Sequence, residues 1–211
     1  MRTLLLASIL LVACVAEPYR TGEVGPWIPP DDMNPDEFIA YLIAEGSSWV
    51  LSQRETLHPT SDKLSDELKD QYSAYFQPET LDTIRYRLVD RIENPGFYDD
   101  LSERGVEIPL DFTRMDGIAF VDTIAIAKRD HHELDWTRLL FHESVHVAQY
   151  KHLGVAEFMS RYVRGWANNG FDYFAIPLER QAYELDRRFS QGEVFSVEQA
   201  VSATFSQSMG R

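Results

Sequence analysis

The sequence predicts an α+β fold in which helices flank a small sheet. Apolar residues recur at helical spacing early in the chain and again over its last third, which indicates helices in both regions. Between them stands a stretch rich in β-branched and small apolar residues, at 117–127, which indicates strands. Because 44% of the 211 residues are hydrophobic, the chain can also bury a sizeable core.

The first helix is predicted to begin at Asn34, a favourable N-cap that is followed by Pro35 at the first helical position. A second, shorter amphipathic helix is predicted over residues 65–76. The apolar residues that support the first helix are Phe38, Ile39, Leu42, Ile43, Trp49 and Val50.

Strand signals follow in two regions. The run 81–92 alternates in part and predicts a strand, which the turn residues Asn94-Pro95-Gly96 close. The runs 117–121 and 123–127 predict either two short strands around Asp122 or one bulged strand.

From Asp135 onward the pattern is helical. Asp135 is predicted to cap a helix that runs to about Leu153, and Gly154 is predicted to end it. Further helices are predicted at about 155–168, 177–190 and 196–207.

Charge and cysteine content exclude several functions. The formal net charge is −14, so that no basic surface is expected to replace the counterions of a nucleic acid, and nucleic acid is not an expected partner. Cys14 is the single cysteine, which excludes an intrachain disulfide.

The N-terminus predicts export. Residues 1–13 carry Arg2 and then an apolar run of about 10 residues, which is the length of a signal-peptide core and too short to span a bilayer. Residues 14–34 are rich in proline and glycine and predict an extended tether. Residues 35–211 then form a single domain.

Residues 11–14, Leu-Val-Ala-Cys, resemble the lipobox of bacterial lipoprotein precursors. The resemblance implies that residues 1–13 are removed and that Cys14 carries a lipid, which attaches the protein to a membrane of the cell envelope. Val15, in place of Asp, implies the outer membrane, with the domain facing the periplasm. Ordinary signal-peptidase cleavage after Ala16, which would release a secreted protein, is the alternative.

Residues 142–146 read His-Glu-Ser-Val-His, an H-E-x-x-H pattern. On a helix His142 and His146 differ by about 40°, so that both imidazoles leave one face, one turn apart, and can share a Zn²⁺ ion. Glu143 is offset from His142 by about 100°, which suits a general base for a water at the open position of the metal.

Three residues are candidates for the third metal ligand. His152 has the spacing of the metzincin pattern, but that pattern needs a glycine where this chain has Gln149. If the helix continues, His152 points about 120° away from His146. Glu179 and Glu184 lie on the helix predicted at 177–190 and differ by about 140° around its axis.

Residues 177–184, Pro-Leu-Glu-Arg-Gln-Ala-Tyr-Glu, resemble the second zinc helix of gluzincin metallopeptidases, in which a Glu is followed three residues later by Ala. Glu179 and Ala182 match this pattern. The resemblance implies a zincin-like domain with its metal site between two helices, where Zn²⁺ is held by His142, His146 and Glu179. It implies that Glu143 is the general base in the hydrolysis of a peptide or protein substrate by zinc-activated water. The hairpin at 117–127 is the candidate for the strand that holds the substrate backbone.

The chain departs from the gluzincin pattern at Tyr183, where many members have an Asp that supports a zinc histidine; a phenol can also accept a hydrogen bond from an imidazole. The group that stabilises the oxyanion also stays open. These two points motivate an alternative function: a zincin-like lipoprotein that binds zinc or a protein partner without hydrolysing peptides. The oxyanion candidates are Tyr162, Tyr173, Arg180 and Tyr183.

Overall fold

The computed structural model describes residues 28–128 and 135–205, and within them helices and a four-stranded sheet form the predicted α+β fold. The helices are α1 (Pro35–Leu57), α2 (Asp66–Tyr72), α3 (Pro78–Thr83), α4 (Phe97–Glu103), α5 (Trp136–Asn168), α6 (Pro177–Ser190) and α7 (Val197–Phe205). The strands are β1 (Asp62–Lys63), β2 (Arg85–Val89), β3 (Gly117–Phe120) and β4 (Thr123–Ala127). Short 3-10 turns lie at His58–Thr60, Phe112–Arg114 and Tyr173–Ala175.

The sheet has the order β1-β2-β4-β3, so that β3 lies at one edge. β4 is buried along its whole length and pairs in parallel with β2, with Arg85 opposite Thr123. β3 and β4 form an antiparallel hairpin in which Phe120 lies opposite Thr123. Of the two alternatives for 117–127, two strands around Asp122 is therefore the correct one.

Helix α1 begins where the sequence predicts, because Asn34 forms a complete capping box with Glu37. The Asn34 side chain accepts from the backbone N–H groups of Asp36 and Glu37, and the Glu37 carboxylate accepts from the Asn34 N–H. The helix buries one stripe at every fourth position and packs against α5 and the β3–β4 hairpin. That stripe consists of Phe38, Leu42, Gly46 and Val50.

Helix α5 is kinked at Gly154, which has φ 73° and ψ 164°. The predicted helix end is therefore a sharp bend between two helical halves. Gly117 of β3 lies against Leu139 in the first half, and Gly46 of α1 lies against Met159 in the second half. The bend thus lets one element contact both the sheet edge and the N-terminal helix.

Helices α5 and α6 are joined by an aromatic stack and an ion pair. Phe141 stacks on Phe189 with 4.0 Å between ring centroids. Arg138 donates to both carboxylate oxygens of Asp186, which is almost fully buried. A charge-assisted pair of this kind fixes the two helices in register.

Two predicted elements differ from the observed ones, and the short elements α3, α4 and β1 are not predicted. The strand predicted at 81–92 is confined to Arg85–Val89, because Pro78 starts helix α3 in the residues before it. The helix predicted at 65–76 ends at Tyr72. Helix α4 is not predicted, because the turn residues before it do not reveal the seven-residue helix that follows.

The predicted signal peptide at 1–13, the lipobox with Cys14 and most of the tether lie outside the described residues. Residues 28–34, the described part of the tether, contain a turn and neither helix nor strand. Among the helices that the structure describes, none combines the length and apolarity needed to cross a bilayer.

Candidate metal centre

His142, His146 and Glu179 come together between α5 and α6, although 33 residues separate His146 from Glu179 in sequence. The two histidines leave the first half of α5 one turn apart, and Glu179 lies in the first turn of α6. One ligand atom from each of the three residues lies within 4.8 Å of the others. Each residue is no more than 6% exposed. The arrangement is thus a buried His-His-Glu group that can hold a metal ion.

Two of the three distances between the ligand atoms suit the coordination of one metal ion. Oε2 of Glu179 lies 3.3 Å from Nε2 of His146 and 3.6 Å from Nε2 of His142. Zinc bonds of about 2.0–2.2 Å separate neighbouring ligand atoms by about 3.3–3.6 Å. Oε2 is also buried without a hydrogen-bond partner among the described residues, which is costly unless a cation or proton satisfies it.

The three groups stabilise one another's charges. Burial opposes charge on His146, yet the adjacent Glu179 carboxylate raises the pKa of His146 to about 9. Burial likewise opposes charge on Glu179, and the two histidines nevertheless hold the pKa of its carboxyl well below the ordinary value. The site therefore keeps a carboxylate available as a metal ligand.

Tyr162 orients the Glu179 carboxylate. Its hydroxyl donates to Oε1 of Glu179 at 2.8 Å, which leaves Oε2 to face the histidines. Burial, together with the negative charge of Glu179, raises the pKa of Tyr162, so that the phenol keeps the proton it donates. The hydroxyl of Tyr162, one of the oxyanion candidates, is therefore already hydrogen-bonded to the Glu179 carboxylate.

Gln149 hydrogen-bonds to His146, a contact that was not predicted from the sequence. Its Oε1 lies 2.8 Å from Nδ1 of His146, and its Nε2 donates to the Leu178 carbonyl and to Oε1 of Gln181. The sequence signal for this contact is its position, three residues after His146 on the same helix, where side chains are neighbours.

Glu143 lies beside the metal ligands under the free edge of β3. The Ala119 N–H donates to its carboxylate, and a Cβ at Gly117 would lie 2.9 Å from Oε1 of Glu143. Burial raises the pKa of Glu143, and the two nearby histidines oppose that rise. A carboxylate with a raised pKa beside a metal site suits proton transfer.

The other two candidates for the third ligand lie elsewhere. His152 is exposed, as its angle on an uninterrupted helix predicts. Glu184 is exposed on α6, where it pairs with Arg187 at 2.7 Å. Neither belongs to the buried group.

Tyr183 makes no hydrogen bond to His142 or His146, as far as the described residues show. Its ring instead contacts that of His142 with 4.6 Å between centroids. Of the remaining oxyanion candidates, Tyr173 lines a cavity beside the ligands and Arg180 is exposed.

A cavity of about 490 Å³ opens onto Glu143, His146 and Glu179. Its walls come from α1, from the second half of α5, from β3 and from the Phe112–Arg114 turn with the residue after it. Apolar and aromatic side chains predominate, as is typical of small-molecule and substrate sites.

Comparison of the chain with family models, curated proteins and solved structures gives no match.

Proposed function

We propose that the protein is a zinc-dependent metallopeptidase with a zincin-like fold, in which His142, His146 and Glu179 hold the metal and Glu143 is the general base. The observation that carries this proposal is the buried His-His-Glu group with a second carboxylate, that of Glu143, beside it at one end of a cavity. The three residues follow one another along the chain as His142, His146 and Glu179. This is the order implied by the resemblance of residues 177–184 to the second zinc helix of gluzincins.

Zinc is the metal that this donor set favours. Two imidazole nitrogens and one carboxylate oxygen are a common catalytic zinc set, and three protein ligands leave a fourth position open. When bound, zinc acts as a Lewis acid that acidifies water and polarises a carbonyl group.

Glu143 moves the proton. Hydrolysis forms a bond between the oxygen of one water and the carbonyl carbon and breaks the bond from that carbon to the peptide nitrogen. One proton of the water is transferred to this nitrogen, so that a carboxylic acid and an amine result. Glu143 takes the proton from water and delivers it to the amine, a task for which its raised pKa is suited.

Strand β3 provides a place for the substrate backbone. It is an edge strand of the described sheet, and Glu143 contacts it at Gly117 and Ala119. An extended peptide that adds to this edge as a further strand brings its carbonyl groups beside Glu143.

Glu143→Gln separates metal binding from catalysis. The substitution keeps the size of the side chain and removes its basic oxygen, so that we expect one zinc per chain and a loss of peptide hydrolysis of at least about a hundredfold. The measurement is digestion of a peptide library followed by mass spectrometry, with Glu184→Gln as a matched control on the exposed face of α6. Full activity of Glu143→Gln would contradict the proposed mechanism.

We further propose that the protein lies in the bacterial cell envelope, attached by a lipid at Cys14 to the outer membrane, as residues 11–15 predict. Cys14→Ser should move the protein from the membrane fraction to the soluble fraction, because a polyacylated N-terminus is the anchor. An unchanged distribution after fractionation would contradict lipid attachment.

One observation favours the non-catalytic alternative, in which the domain binds zinc or a partner only. Glu143 and all three ligands are no more than 6% exposed, so that a peptide reaches them only through the cavity mouth or after a displacement of the surrounding elements. A zinc-loaded protein that cleaves no member of the library would favour this alternative.

A further inference from the structure

We propose that the cavity beside the metal ligands, here called the apolar chamber, receives a large apolar side chain of the substrate next to the cleaved bond. This inference rests on the proposed function and adds the substrate class to it: peptides with an aromatic or long aliphatic residue at that position.

The walls of the chamber repel charge. They are formed by Trp49 and Val50 of α1, Phe112 and Met115 before β3, and Phe158 and Met159 of α5. Among the described residues that line it there is no lysine or arginine. An anionic substrate side chain would lose its hydration here without a lysine or arginine partner, whereas an apolar one gains by leaving water.

The floor of the chamber is the reaction site. Glu143, His146 and Glu179 line one end of it, and β3 contributes Gly117 and Ala119 to the same wall. A substrate whose carbonyl lies beside Glu143 therefore projects a neighbouring side chain into the chamber. This continuity distinguishes the chamber from a packing defect elsewhere in the core.

The chamber is open to solvent on one side. The space between its walls, with this opening included, is about 490 Å³. A second apolar cavity of about 450 Å³ adjoins it, and four residues line both cavities: Trp49, Phe112, Met159 and Tyr162. Leu42 lines the second cavity and is absent from the lining of the first, which supplies a control position.

The test compares two zinc-binding probes on the zinc-loaded full-length protein in detergent: N-acetylphenylalanine hydroxamate and N-acetylglycine hydroxamate. We expect calorimetry to show at least about tenfold tighter binding of the phenylalanine probe, because burying an aromatic side chain is worth that factor or more. Equal affinities would overturn the inference while leaving the metal site intact. A protein without zinc, or one that binds neither probe, would instead contradict the proposed function, and the inference would fall with it.

The substitution Val50→Phe tests whether the phenylalanine side chain of the probe binds in the apolar chamber. Filling the chamber should remove most of the preference for the phenylalanine probe over the glycine probe, whereas Leu42→Phe should retain the preference. If Val50→Phe does not fold, Val50→Leu fills less of the chamber and should reduce the preference for the phenylalanine probe by a smaller factor. A preference that survives the filling would show that the side chain binds elsewhere and would overturn the inference.

Discussion

Gln149 is a fully buried side chain whose hydrogen bonds connect His146, a candidate metal ligand, to helix α6. With Nδ1–H of His146 donating to Oε1 of Gln149, Nε2 of the same ring is the nitrogen left free for a metal. The amide of Gln149 in turn donates to the Leu178 carbonyl, next to Glu179. One residue thus fixes both the ring orientation and the distance between two ligands.

Gln149→Leu should weaken zinc binding by about ten- to a hundredfold, because it removes the acceptor that orients His146. The affinity is measured by competition with a chromophoric chelator. Ser144→Ala is a matched control, since Ser144 is buried on the same helix and its hydroxyl bonds only to the Leu140 carbonyl. Zinc affinity equal to that of the wild type in Gln149→Leu would show that this hydrogen bond does not position the ligand.

At the residue scale, the sequence identifies the three members of the buried His-His-Glu group, but it does not identify the side chains that hydrogen-bond to them. The spacing of His142 and His146 is a local helical relation, and Glu179 is found through its resemblance to a known helix. The roles of Gln149 and Tyr162 depend on where α6 and the second half of α5 lie, which no local spacing specifies.

At the scale of the elements, α5 contributes more residues to the candidate site than any other described element, and its bend at Gly154 determines where its second half lies. The backbone there has φ 73° and ψ 164°, a region that is essentially restricted to glycine. The bend directs the second half of α5 so that Tyr162 reaches Glu179 and Phe158 reaches the apolar chamber.

Gly154→Ala should destabilise the protein by about 1–3 kcal/mol, because alanine is strained in this conformation. A Cβ at this position would contact nothing within 4 Å, so that the loss reflects backbone strain alone. Chemical denaturation provides the measurement. Gly96→Ala is the control, because Gly96 has an ordinary helical conformation and equally open surroundings. Equal stabilities of the two variants would contradict the strain at Gly154.

The long and well-capped elements are predictable from sequence, whereas the short ones are not. Asn34 and Asp135 cap their helices through their own side chains, which is a local signal. Strand β1 has two exposed residues and is recognised as a strand only through its pairing with β2. The parallel pairing of β2 with β4 likewise joins distant segments.

At the scale of the whole molecule, the candidate site is built from distant parts of the chain, because residues of helix α1 line the same cavity as residues of α5 and α6. Helix α1 contributes Trp49 and Val50 to the chamber, although the metal ligands lie more than 90 residues further along the chain. Trp49 also packs on Phe112 and Phe120, with ring centroids 4.8 Å and 5.2 Å apart. Such contacts between distant segments create the chamber, so that its existence cannot be predicted from local patterns.

The central claim is that this fold holds zinc through Glu179 together with His142 and His146. Its most direct test is the zinc content per chain, measured by mass spectrometry of the metal in folded, dialysed protein. We expect about one zinc in the wild type. We expect a large loss in Glu179→Ala, and a content equal to that of the wild type in the control Glu184→Ala, which changes an exposed carboxylate on the same helix. A folded wild type without zinc, or a Glu179→Ala variant that retains it fully, would contradict the account.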